Sequence, residues 1–431
     1  MTLTPVSRQP CVQVRVSPDG AISRRGFLRT AGVGAALAGF GWLDWLTLHA
    51  DELRRGGKSC ILLWMAGGPS QFETFDPKPG AETQGPTGAI PTAVPGIRIA
   101  EHWTHLAGVT GELTFLRSMT SKEGNHGRAT YLLHTGYAPS GGIVHPGIGS
   151  LVASEIGPSD FDLPHFVSIN GPSVGSSFLG VRYAPFVITD PNRPPDNLNA
   201  PVAASRLQRR LGLLQEMDSV FARSGAADQV RDHQTLYGQT AHLVLSPRVK
   251  AFDLDAEPAA VRDCYGRSSF GQGCLMARRL VEAGVTFVEV QSSGWDTHGN
   301  ELASLQKLIP TVDQGTAALL ADLRLRGLLE NTFVVWMGEF GRTPRVNLTA
   351  GRDHYPQAFN VALSGCGVQG GRVVGATDKL GTEVSERPVT VPDLFCTFCH
   401  ALDIDPRKEN ESNVGRPLKI VEYGKAVREL F

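Results

Sequence analysis

Val285-Thr286-Phe287-Val288-Glu289-Val290, a helical run from Leu302 to Leu329, and Thr332-Phe333-Val334-Val335-Trp336-Met337 follow one another in the second half of the chain. Both hexamers are largely apolar without clean alternation, the pattern of strands covered on both faces of a sheet. The run between them repeats Leu305, Leu308, Val312, Leu319, Leu320 and Leu323 at helical spacing, with Pro310 as an expected kink or restart. Strand, helix and strand in this order outline a βαβ unit and therefore a parallel sheet. Four further runs read the same way: Cys60–Met65, Leu113–Arg117, His165–Ile169 and Phe359–Leu363. A helix is expected from Gly271 to Ala283, ended by Gly284. The expected fold is α/β, doubly wound, with a mostly parallel central sheet and helices on both faces.

Residues 184–201 interrupt the alternation. Asp190-Pro191-Asn192-Arg193-Pro194-Pro195-Asp196-Asn197 suits neither a helix nor a central strand. Beyond it, Ala203 to Phe221 sets Leu207, Leu211, Leu214, Met217 and Phe221 on one side, and a second helix is expected from Ala227 to Leu245. Residues 184–262 thus read as a helical cap insertion over the site.

The first 50 residues are of another kind. Ser23-Arg24-Arg25-Gly26-Phe27-Leu28-Arg29 precedes a weakly apolar stretch from Ala31 to Phe40, the layout of a twin-arginine export signal. Asp44 interrupts the apolar run, which is short for a bilayer span. Cleavage after Ala50 would leave residues 51–431 as the mature domain, and an uncleaved signal would be its only membrane contact. The expected location is periplasmic or extracellular. Of 41 basic and 42 acidic residues, five arginines and two aspartates leave with the leader, so the mature part carries 36 and 40, a net of −4. That balance speaks against nucleic acid as a partner. Cys396 and Cys399 have a suggestive spacing but no second pair, and read as buried thiols on a helix from Pro392 to Leu402.

Five polar clusters lie at or near the ends of the apolar runs, where ligands of open α/β folds bind. Gly67-Gly68-Pro69-Ser70-Gln71-Phe72-Glu73-Thr74-Phe75-Asp76 offers Glu73 and Asp76 to a cation, or alternatively a capped turn. Gly124-Asn125-His126-Gly127-Arg128 opens a helix from Ala129 to His134. There His126 can be a ligand, base or nucleophile, and Arg128 can clamp an anion beside the helix N-terminus. Asp296-Thr297-His298 sets two ligand types on one side of an extended segment. Glu339 follows the Thr332–Met337 strand, with Arg342 able to bind an anion or pair with Glu339. Asp353 and His354 are adjacent, so one is expected at the cation and the other in support.

With these residues in view, the chain resembles the DUF1501 family. The matching pieces are Ser23–Arg29, GGPSQFETFDPKPG (67–80), NHGRATYLLHTGY (125–137), GWDTHGN (294–300), GEFGRTPR (338–345) and GRDHYP (351–356). That family is similar to the alkaline phosphatase–sulfatase superfamily. The resemblance implies an alkaline phosphatase-like domain with one or two divalent ions (Zn, Ca, Mg or Mn are not distinguished). It implies ligands at Asp76 or Glu73, Asp296, His298, Glu339 and His354. Two departures stand out: Glu73 where the family has aspartate, and Asn125-His126-Gly127 where the superfamily places a Ser, Thr or Cys nucleophile. The implied activity is therefore hydrolysis of phosphate or sulfate esters, on polysaccharides among others, by metal-activated water with His126 as base. The alternative is a metal-dependent protein that binds anionic glycans or envelope partners without turnover.

Overall fold

A computed structural model describes residues 57–431, apart from 196 and 199–201; the twin-arginine stretch lies outside the described residues. Nine strands form the central sheet: β1 (Ser59–Ala66), β2 (Thr114–Thr120), β3 (Phe166–Ile169), β4 (Phe186–Ile188), β5 (Phe287–Ser293), β6 (Thr332–Met337), β7 (Phe359–Ser364), β8 (Arg372–Val374) and β9 (Val389–Thr390). Their order is β8-β2-β7-β6-β1-β5-β3-β4, with β9 also paired to β2. β1 runs parallel to β5 and β6, and β3 is parallel to β5 and β4. Only β7 runs against its neighbours β2 and β6.

The principal helices are α1 (His126–Thr135), α2 (Ile148–Ile156), α3 (Ala204–Phe221), α4 (Ala227–Leu245), α5 (Ser269–Glu282), α6 (Glu301–Leu325) and α7 (Val391–Ala401). They cover both faces of the sheet. Gly149 of α2 lies against the rings of Phe166 and Phe287, whereas Gly273 of α5 lies against Val290 and Ile169, which point the other way from the same two strands. A Cβ at Gly149 would meet the Phe166 ring at 2.6 Å, so glycine sets how closely α2 approaches. One core joins Cys60, Leu62, Trp64, Phe287, Phe333 and Val335 from the strands to Leu133, Ile148, Phe395 and Phe398 from α1, α2 and α7. Among the described residues no helix is long and apolar enough to cross a membrane.

The helix expected from Leu302 runs through Pro310 without a break. Proline removes one backbone donor there, and Thr311 turns its hydroxyl to the Leu308 carbonyl, 2.8 Å away. Cys396 and Cys399 are both buried and free on α7. The expected insertion contains the edge strand β4 and the two helices α3 and α4, joined at Ala222–Ala226. His233 Nδ1 lies 3.5 Å from Asp218 Oδ2 across that pair. α4 packs on the turns Val181–Tyr183 and Pro247–Phe252.

Candidate functional site

Three strand ends and one helix start converge. β1 leaves the sheet through Gly67 (φ 122°) and Gly68 (φ 75°). A Cβ on Gly67 would lie 2.4 Å from the Asp296 nitrogen, and one on Gly68 would lie 2.6 Å from the Phe340 ring. The two glycines therefore let the β1, β5 and β6 exits crowd together. After β5, Trp295 is fully buried against Trp103 and Trp336, and its indole donates to Ser292 Oγ at 3.2 Å. That anchor fixes the next residue, Asp296. α1 begins at His126, with Asn125 as N-cap accepting from the Arg128 amide at 3.3 Å. A short hairpin pairs Gly341–Arg342 with His354–Tyr355, so His354 sits opposite Arg342.

The side chains then meet. His298 Nε2 and His354 Nε2 are 3.0 Å apart, and Asp296 Oδ1 is 3.1 Å from the first and 3.4 Å from the second. His126 Nε2 reaches within 3.3 Å of Asp296 Oδ2, misaligned for a hydrogen bond. Ligand atoms of His126, Asp296 and His354 all lie within 4.8 Å of one another.

The far side of each imidazole decides what the near side is. His126 Nδ1 donates to Glu339 Oε1 (2.7 Å), His298 Nδ1 to Asp353 Oδ1 (2.8 Å) and His354 Nδ1 to the Gly124 carbonyl (2.7 Å). In the neutral rings Nε2 is then the lone-pair nitrogen. Three lone pairs and a carboxylate facing one another repel unless a proton or a cation sits among them. Imidazoles held by a carboxylate or carbonyl behind are the usual arrangement of metal-binding histidines. Glu339 adds a second sign. Its Oε1 also accepts from the Gly67 amide at 2.9 Å, while its buried Oε2 has no partner. The donor set fits a divalent ion such as zinc, though nitrogen and oxygen donors also suit its neighbours in the transition series.

Electrostatics follow the contacts. The Glu339 hydrogen bond raises the His126 pKa against the opposing effect of burial. Burial pushes Asp296 up, but the Arg342 hydrogen bond and charge, with His126 and His298, outweigh it and hold the acid at about 2. Burial lowers His354. The His298 hydrogen bond lowers Asp353.

The structure gathers His126, Asp296, His298, His354 and Glu339, with Asp353 behind His298. It does not bring Glu73 or Asp76 to the cluster. Glu73 is buried with Ser70 and with Arg352, whose Nη2 lies at 3.0 Å. Asp76 is buried against Lys78 at 2.9 Å and Arg117 at 3.6 Å. Arg128 is half-exposed and paired with Glu123 at 2.8 Å. Arg342 is fully buried and donates to the carbonyls of Gly67, Gly68, Trp295 and Arg352 and, at 2.7 Å, to Asp296 Oδ1. It faces the carboxylate rather than an incoming anion. Among the described residues, none from 184–262 bonds to the gathered side chains.

Sequence reasoning missed the loop that holds His298. Asn347 Nδ2 and Thr349 Oγ1 donate to the His298 carbonyl at 3.0 and 2.6 Å, and a Cβ on Gly351 would lie 2.2 Å from the same carbonyl carbon. Only the Gly351 beside Arg352 hinted at that close approach.

Among solved structures, the chain is similar to a sulfatase from Pseudoalteromonas sp., at 13% identity and TM-score 0.37 over 83% of this chain and 70% of that one. It is also similar to the lipoteichoic acid synthase LtaP from Listeria monocytogenes, at 11% identity and TM-score 0.36 over 81% and 72%. A phosphonate monoester hydrolase from Silicibacter pomeroyi gives 10% identity and TM-score 0.31 over 86% and 76%. No curated protein matches the chain. The model of the family described as "Protein of unknown function (DUF1501)" matches residues 57–431, and the chain belongs to that family.

Proposed function

We propose that this centre holds a divalent cation and that the protein hydrolyses phosphate or sulfate esters, those of anionic polysaccharides included. The carrying observation is the 3.0–3.4 Å triangle of His298 Nε2, His354 Nε2 and Asp296 Oδ1, with both Nδ1 atoms committed elsewhere. When bound, such an ion polarises an ester oxygen and lowers the pKa of water. Asp296, His298 and His354 would hold it, and Arg342 keeps Asp296 ionised and aimed.

His126 supplies the proton chemistry. Its Nδ1–H is fixed on Glu339, which leaves Nε2 facing the centre as the atom that takes a proton from water or returns one to the leaving oxygen. It is also the first residue of α1, where unpaired backbone N–H groups favour an anion. Arg128, beside it at the surface, can turn from Glu123 to an anionic ester.

The test is hydrolysis of an aryl phosphate, an aryl sulfate and a sulfated polysaccharide by protein stripped of metal and reloaded with zinc, manganese, magnesium or calcium. Turnover is expected with at least one ion, falling about 10²–10⁴-fold in His126→Gln. No product with any ion, alongside metal-dependent retention of the polysaccharide, would replace this reading with a binding protein. We also infer export through the twin-arginine route from Ser23–Arg29. Unchanged export of a chain carrying Arg24→Lys and Arg25→Lys would refute it.

A further inference from the structure

The core beneath the site holds a polar pair that the chemistry above does not use. His134 lies in the last turn of α1 and Glu289 within β5, and both are buried, at 2% and 0% exposure. His134 Nδ1 donates to the Thr130 carbonyl at 2.9 Å, and its Nε2 lies 3.4 Å from Glu289 Oε1. A carbonyl only accepts, so Nδ1 carries a proton. Glu289 Oε1 also accepts from Gln291 Nε2 at 2.9 Å, and Oε2 accepts from the Ser173 hydroxyl. Donors on both oxygens favour the ionised carboxylate, which leaves Nε2 to donate as well and makes His134 an imidazolium. The C-terminal end of α1 favours that charge. Burial opposes it, but the Glu289 charge and hydrogen bond, with Thr130 and Glu339, outweigh burial and raise the pKa.

A buried ion pair adds little stability, since apolar residues of similar volume in its place are often neutral or stabilising. What this pair adds is a fixed direction. α1 begins at His126, eight residues or about 12 Å from His134, and β5 leads on to Asp296. His126 Nε2 and Asp296 Oδ2 face each other at 3.3 Å without an aligned hydrogen bond. Among the described residues, His134 to Glu289 is the one hydrogen bond that joins α1 to β5. We propose that His134 and Glu289 are positioning residues that lock α1 to β5, so that His126 stays on Glu339 and faces Asp296. The catalytic part of this inference rests on the ester hydrolysis proposed above.

Replacing the pair by His134→Leu with Glu289→Leu removes the link but leaves apolar packing, so Tm should stay near that of the wild type. On an aryl ester kcat is expected to fall roughly tenfold or more, with KM and metal affinity held, because the misplaced group is His126. His134→Gln with Glu289→Gln, which can keep an amide hydrogen bond across the gap, should recover most of the rate. Nitrogen-15 spectra of the full chain labelled in histidine read the link without any substrate. Both ring nitrogens of His134 should be protonated at about pH 8, where an ordinary histidine is neutral. The His126 ring proton held on Glu339 should resist exchange in the wild type and the glutamine pair, and exchange freely in the leucine pair. A neutral His134, or a leucine pair that keeps the wild-type kcat or a protected His126 proton, would overturn the proposal. A wild type that turns over no ester refutes the hydrolase reading instead, and the two spectral readings still decide this one.

Discussion

Two isosteric substitutions, Asp296→Asn and Glu73→Gln, separate the two kinds of carboxylate that the sequence presents alike. Asp296 supplies an oxygen 3.1 and 3.4 Å from two imidazole nitrogens. Removing a group that merely orients a metal ligand costs about 10–100-fold in affinity. Losing the charged donor itself should reach the upper end, about 100-fold or roughly 2.7 kcal/mol. The fold should barely notice. Arg342 keeps its four carbonyl acceptors, the asparagine oxygen can still accept from it, and an ion pair on a half-exposed carboxylate is worth at most about 1 kcal/mol. Glu73 should behave in the opposite way. Its partner Arg352 is fully buried, so losing the pair costs about 3 kcal/mol, the low end of the usual range because Arg352 still donates to the carbonyls of Thr83, Gln84, Thr343 and Pro344. Over residues 57–431, roughly 375 residues, the unfolding entropy is about 0.8 kcal/mol per degree, so the Tm should fall by ~4 °C. Competition with a chromophoric chelator gives the affinities, and calorimetry gives Tm. A Glu73→Gln chain that loses metal tenfold, or an Asp296→Asn chain that binds like wild type, would refute the assignment.

Two further outcomes follow from buried groups. Burial first, and then the neighbouring Glu73, push Glu301 up to about 8 against the pull of Arg352. A folded pKa raised from 4.5 means that the native state keeps a proton the unfolded chain has lost. Stability from this group is thus full in acid and declines as pH rises towards about 8, by at most ~1.4 kcal/mol per pH unit. Denaturant midpoints across that window should be flatter in Glu301→Gln, and an identical slope would show that Glu301 is ionised throughout. Among the described cysteines only Cys264 is exposed, whereas Cys60, Cys274, Cys366, Cys396 and Cys399 are buried. In the native protein a thiol reagent should modify Cys264 rapidly and those five only on unfolding, and rapid reaction at Cys396 or Cys399 would contradict their placement.

The sheet was legible where strands are long and buried on both sides. β1 and β6 are almost wholly apolar and β5 begins Phe-Val-Glu-Val, which marked all three as strands of a mostly parallel sheet, although their order in it was not read. β4, β8 and β9 were not, because two or three residues with an exposed side carry no period to detect. At the site, the acids and imidazoles beyond the strand ends were visible as residue types. The same signal also selected Glu73 and Asp76, because a carboxylate awaiting a cation and one awaiting a guanidinium look the same in sequence. The partner that decides, Arg352, lies 279 positions away from Glu73. Asp353 shows the converse. The rule for adjacent ligands put one of Asp353 and His354 in support without saying which, and the contact that gives Asp353 this role crosses 55 positions to His298.

Arg342 explains how so exposed a centre stays organised. Asp296 and His298 are about half exposed, so packing alone does not fix them. The buried guanidinium ties the β1 exit, through the carbonyls of Gly67 and Gly68, to the β5 exit, through Trp295 and Asp296, and to the hairpin, through Arg352. The strand ends are therefore in register before any ion arrives, and binding orders little that is not already ordered. A fixed positive charge beside a cation site repels the ion, which is a cost. Its return is that Asp296, held at about 2, is already ionised well below neutral pH. Competition between protons and the ion then falls on the imidazoles. Burial holds His354 low, so it yields its lone pair to the ion down to lower pH than an ordinary histidine. His126, raised by Glu339, keeps its proton longest and is the ring left free to move one.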